Sequence, residues 1–439
     1  MKNTLRIALG ILLLGAAAAF FFGADRVELP SQGTILTASA RVAGSANAEA
    51  AYIENITRRP ERVDGYVDLA QFYLLQARET ANEALYVPKV EAQLNKALDL
   101  DANDYRARVL MGTLQNKFHR FEEAEAIARE LIAEAPGHAY NYGTLVDALV
   151  ELGRYDEAVE AMDEMLARRP DLSSYSRASY LRELLGDSEG AIRAMEMAAQ
   201  AGVQGSEGRS WALYQLAAMA LAEGNNAAAE RILKGLIEEA PGYTRALEGL
   251  AHLRLIEGRT DEARILIEEA TALAPGAGFE ELAAEVYQAI GDEESYAKAV
   301  EAIEAGLEEA EAMGEVVNME KADFYADEEK NLNDALWLAS LEISRRPDHL
   351  HANETYAWVL HKLDRPKQAL PYIDHAMRFE NGDAKLSFRA GHIYLAAGQT
   401  ATGLDLMEQA LEEGLHIESP SAAREARALV SAGPLSLAG

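Results

Sequence analysis

The sequence predicts an all-α chain built as a solenoid of stacked helix pairs, and three observations carry that prediction. Prolines recur 34 residues apart, at Pro136 and Pro170 and again at Pro241 and Pro275. Turn glycines are followed five residues later by a small residue: Gly153 by Ala158, Gly186 by Ala191, Gly224 by Ala229, Gly258 by Ala263 and Gly398 by Gly403. The composition also suits helix: 49% of the 439 residues are hydrophobic, Ala, Leu and Glu abound, and only 12 are proline. A fixed period of roughly 20–50 residues marks a repeat array, so the repeats set the organisation within which any motif is read.

The elements follow in order. Lys2 and Arg6 precede an uncharged run from Ile7 to Ala24, the positive start and apolar middle of an export segment. Residues 1–24 are read as a signal peptide or signal anchor. The run is long for a cleaved signal and slightly short of the roughly 20 residues of a spanning helix. Cleavage after Ala17-Ala18-Ala19 would leave Phe20-Phe21-Phe22 as the new start, so cleaved and retained forms both stay open. The basic end belongs in the cytoplasm, which puts the body of the chain outside it, in the periplasm or cell envelope of a bacterium. Residues 25–46, rich in Gly, Ser, Ala and Thr, read as a flexible linker. Residues 47–62, around "YIENITRRP", read as a capping helix. Repeat units are expected at 63–277 and 316–417, separated by a degenerate unit with a long acidic helix at 278–315. A closing helix and tail fill 418–439. The first unit carries an insertion at 77–88, between its helices.

One unit shows the physics. Leu145, Ala148, Leu149 and Leu152 make the apolar stripe of a first helix. Gly153 allows the left-handed turn that ends it. Tyr155 and Ala158 open a second helix, and the small Ala158 lets the two helices approach. Met162, Met165 and Leu166 extend the second stripe. Arg168 and Arg169 suit the negative end of the helix dipole, and Pro170 stops the helix. Neither stripe can be buried within one pair, so the units must stack. Asp156, Glu160, Asp163 and Glu164 then belong to the wet side.

Gly112 with Ala124 and Pro136, Gly153-Arg154-Tyr155-Asp156-Glu157-Ala158 with Pro170, and the segments "AHLRLIEGRTDEARILIEEATALAP" (251–275) and "YAWVLHKLDRPKQALPYIDHAM" (356–377) resemble the tetratricopeptide repeat (TPR). The likeness covers about 63–417. It implies a right-handed superhelix of about ten helix-turn-helix units, with the first helix of each unit lining a concave face. "SSYSRASYLRELLGDSEGAIRAMEMAAQAG" also looks like exported bacterial TPR proteins of unassigned role.

On that implied inner face the repeat alignment puts Tyr180, His252, Phe324, Trp358 and His392 at one position, and Tyr140, Trp211, Tyr214, Phe388 and His361 at neighbouring ones. Aromatic side chains with polar tips give large contact area at low entropy cost and suit peptide binding. Val109, Thr113, Gly143 and Asp147 stand where a known TPR mode clamps a C-terminal carboxylate with Lys, Arg and Asn, which argues against that mode.

The charge is −31, from 72 acidic and 41 basic residues, and disfavours nucleic acid and anionic surfaces. From Phe279 to Lys330, 17 acids face three lysines. This stretch is read as the solvated face of a long helix, with a docking patch for a basic partner or weak divalent-cation binding as the alternatives, though no calcium-loop spacing is present. Cysteine is absent, which removes disulfides and thiolate chemistry. His349, His351, His361 and His375 lack the spacing of a helical metal motif, so no metal and no cofactor are expected. Catalytic signatures are missing too. The expected function is a non-catalytic scaffold that holds a protein or peptide partner in its groove, within an envelope assembly. The rival reading is an acidic spacer or coat without a ligand; an enzyme with its active site in the groove stands third. The oligomeric state is open.

Overall fold

The structure is a computed structural model that describes residues 38–433 except Ala81, Gly276 and Glu380. The apolar export segment, most of the expected linker and the last six residues lie outside the described residues. Among the described residues every regular element is a helix, and none is long and apolar enough to cross a membrane.

Ten helix pairs follow one another, numbered here units 1 to 10. Unit 3 pairs Ala139–Glu151 with Tyr155–Arg168, the two helices expected from its stripes and its Gly153 turn. Gly153 has φ 74°, and His119 and Asp364 take the same left-handed turn in their units at φ 54° and 59°. Ala158 is fully buried at the crossing of the pair, where a larger side chain would push the helices apart. Side-chain caps fix several helix starts. Asp171, for example, accepts from the Ser174 amide while Ser174 Oγ accepts from the Asp171 amide.

Three boundaries differ from the sequence reading. The capping helix starts at Ala38 rather than 47, because the alanine-rich "ASARVAGSANAEAA" carries helix propensity through Gly44. The expected insertion at 77–88 is no loop. Unit 1 absorbs the extra residues by lengthening both helices to 18 residues, Val63–Thr80 and Glu83–Leu100, with Pro88 inside the second. After unit 10, a short helix Leu415–Glu418 precedes the expected closing helix, Pro420–Ala432. The long acidic helix of unit 7 is present as Glu293–Ala312.

First helices touch the first helices of the next unit as well as their own partners, which draws that side of the array inward. The two helix types differ sharply in burial. In unit 3 the first helix buries twelve of its thirteen residues and the second only five of fourteen.

Stacking against the neighbouring units buries much of the first helix, and further contacts come from six units away, where the superhelix meets itself. The turn of unit 2 meets the start of unit 8: the Val316 amide donates to Phe118 O (3.1 Å), and His119 Nδ1 donates to Val316 O (3.0 Å). The turn of unit 3 meets the start of unit 9 in the same way. Tyr155 Oη accepts from the Leu350 amide (3.0 Å), and Arg346 donates to Glu151 Oε2 (2.8 Å). The turn of unit 5 meets the closing helices, with Ile417 packed against Ala217 and Leu221. One superhelical turn is therefore six units, and successive turns touch along a seam.

Candidate functional site

The expected groove residues divide by burial. Trp211, His252, Phe324, Trp358 and Phe388 are buried. Trp211 packs on Met195, Ala198 and Ala212, and Phe324 on Ala284 and Ala299. Phe388 packs on Met407, Ala410 and Leu415. His252 donates to Ile417 O at 2.7 Å, which makes it a seam residue. The Trp358 indole donates to Asp327 Oδ1 at 2.7 Å. In this closed arrangement these five hold the array together and offer a partner almost no surface. All five lie on first helices, and the sequence alignment could not tell that they are packed there.

Tyr140, Tyr180, Tyr214, His361 and His392 remain half-buried. Tyr140 donates to Asp171 (3.2 Å) and Tyr214 to Glu248 (3.1 Å). Burial and the nearby charge of Glu151 push the Tyr180 phenol well up. His361 stacks on Trp358, with ring centres 5.0 Å apart, and lies 6.0 Å from the His392 ring. His392 faces Glu425 at 3.2 Å. Two histidines and a tryptophan thus form one aromatic group on units 9 and 10.

The ion pairs of the interior escaped the sequence reading. Arg177 grips Asp147 with two parallel bonds of 2.8 Å, both side chains buried. Arg389 is 1% exposed and donates to Asp323 (2.7 Å), Glu354 (2.9 Å) and Asp327 (3.2 Å). Burial alone would raise the Asp323 carboxyl, but Arg389 and Lys385 outweigh it and hold it well below the usual range.

Around this network stand carboxyls whose pKa is raised. Burial pushes Glu281 and Glu285 up to about 8. Burial and the charge of Asp383 push Glu418 up to about 8 and Glu183 up to about 7. His351 Nδ1 lies 3.3 Å from Glu354 Oε2, and one ring nitrogen of His351, one oxygen of Glu354 and one of Asp383 fall within 4.8 Å of one another. The sequence reading set His351 aside because the histidines lack the spacing of a helical metal motif. What joins it to Asp383 is the side-by-side stacking of two first helices, which no spacing within one unit reveals.

A family profile for the tetratricopeptide repeat matches residues 117–185 and 220–286. Cellulose synthase operon protein C of Pseudomonas fluorescens (strain SBW25) is 23% identical over 176 residues, 39% of this chain and 14% of that protein. Among solved structures, the chain is similar to the APC/C hetero-tetramer Cut9–Hcn1, with a TM-score of 0.43 and 12% identity over 87% of this chain and 58% of that one. It is also similar to PilW, a widely conserved type IV pilus biogenesis factor, with a TM-score of 0.39 and 14% identity over 48% of this chain and 98% of that one. The profile match, together with the recurring Gly–Ala–Pro pattern and the ten stacked helix pairs among the described residues, shows that the chain carries tetratricopeptide repeats.

Proposed function

We propose that the array is a non-catalytic scaffold outside the cytoplasm, holding a segment of a partner protein along its inner face within an envelope assembly. Stacked repeats of this type form extended concave surfaces for protein partners. The observation that carries the reading is the set of half-buried inner side chains with polar tips: Tyr140, Tyr180, Tyr214, His361 and His392. The export pattern of Lys2, Arg6 and the run from Ile7 to Ala24 supports the location. The likeness to a cellulose synthase operon protein supports a bacterial setting.

A pulldown from envelope extracts tests it. The wild-type chain should return a stoichiometric protein partner. Tyr140→Ala and Tyr214→Ala, with helicity unchanged by circular dichroism, should each weaken that capture. Failure to return any stoichiometric partner would leave the acidic spacer as the better description. Recovery of the full-length chain in the cytoplasm would remove the location.

A further inference from the structure

We propose that His351, Glu354 and Asp383 form a binding site for one divalent first-row transition ion, of the zinc or manganese class. His351 and Glu354 stand at i and i+3 in the first turn of Leu350–Lys362, so they share a face of that helix. Asp383 caps the start of the neighbouring first helix, Ala384–Ala396. The stacking of units 9 and 10 brings these two helix starts together.

The geometry admits a metal where the side chains now form an ion pair. The 3.3 Å between His351 Nδ1 and Glu354 Oε2 matches the edge of a tetrahedron whose bonds are about 2.0–2.1 Å long. One oxygen of each carboxylate is already held. Glu354 Oε1 accepts from Arg389 at 2.9 Å, and Asp383 Oδ1 accepts from the Leu386 amide at 2.8 Å. Such outer contacts orient a carboxylate and leave its second oxygen for a ligand bond. One imidazole nitrogen with two carboxylates suits zinc or manganese, whereas calcium prefers an all-oxygen shell with more ligands. A bound ion would tie the starts of two adjacent inner helices, close to Glu183 of the preceding superhelical turn, whose carboxyl feels the charge of Asp383.

The test uses the untagged full chain, stripped with a chelator and titrated with Zn2+ by calorimetry, with Co2+ as a spectroscopic probe. The wild type should bind one equivalent, raise its melting temperature on binding, and give Co2+ a visible absorption band. His351→Ala and Asp383→Asn should each weaken Zn2+ binding by about tenfold or more. Asparagine still caps a helix, so Asp383→Asn keeps the fold while removing the charge. His375→Ala, which alters the separate His375–Asp348 pair, should bind as the wild type does. Absence of saturable binding in the wild type overturns the proposal. So does binding that both site variants leave intact, or that Mg2+ abolishes at equal concentration, since either outcome would describe ions on the acidic surface.

Discussion

Two helices drawn from the same acid-rich stretch, Glu293–Ala312 and Asn318–Asp327, put their carboxylates to opposite uses. The first buries only Ala299 among its twenty residues. Its Lys298–Glu294 pair has side chains 69% and 82% exposed. The second buries Asp323 and Asp327 against Arg389. Composition cannot separate the two. What separates them is position in the superhelix: one helix is a second helix with water along most of its length, the other a first helix turned to a packed interior. Charge counted along the chain therefore says little until the face it occupies is known.

The largest expected effect tests the buried half. Arg389→Met should lower the unfolding free energy by about 3–5 kcal/mol, because Asp323, Asp327 and Glu354 would share a buried site with only Lys385, at Asp323, left to offset them. Urea unfolding followed by circular dichroism measures it. A loss near zero would mean the network is wetter than its burial implies.

The seam offers the next comparison, between two glycines with nearly the same backbone. Gly153 and Gly258 have φ of 74° and 73°. Alanine at either position costs about 1–2 kcal/mol for the left-handed conformation. A Cβ at Gly258 would meet nothing within 4 Å, whereas at Gly153 it would lie 2.5 Å from the His349 amide nitrogen, across the seam. Gly153→Ala should therefore cost about 1–3 kcal/mol more than Gly258→Ala. It should also enlarge the radius of gyration in solution scattering, and Gly258→Ala should not. Equal effects would mean the turns do not touch.

The seam also explains how far the sequence could be read. The turn glycines, the small residue five positions on and the closing prolines are local, so they reported the helix pairs, their order and their inward helices. The burial of Trp211, Trp358 and Phe388 depends on close packing of the inward face, and the contacts of Glu151 with Arg346 and of His252 with Ile417 bridge turns. A period of 34 residues contains no term for a contact near 195 residues away. The half-buried set, Tyr140, Tyr180, Tyr214, His361 and His392, was legible as inward. The grouping of His351 with Asp383 was not, because the two belong to different units.

Titration distinguishes inner from outer acids as well. Glu285 has its carboxyl pushed up to about 8 by burial, against about 4.3 for an unperturbed glutamate. A raised acid pKa means the folded form holds its proton more tightly. The stabilisation is complete below the unfolded value, declines as pH rises from about 4.3 toward 8, and is lost above it. Glu285→Gln removes that titration at nearly constant shape. Its melting temperature relative to wild type should climb between pH 5 and pH 8.5, as read by scanning calorimetry. A difference independent of pH would place Glu285 in water.

The smallest effect belongs to the outer helix. Lys298 lies four residues after Glu294 on the same face, the favourable order for a helical pair, and donates to it at 2.6 Å. Both side chains are largely in water, so the attraction is screened and offset by the entropy of holding two long chains in place. Removing the lysine also leaves its acid-rich stretch one charge more negative. Lys298→Ala should accordingly shift the melting temperature by no more than about 1 °C at physiological salt, and by less at high salt. A shift of several degrees that persisted in high salt would mean that Glu293–Ala312 packs against something, and the contrast between the wet helix and the buried one would fail at its wet end.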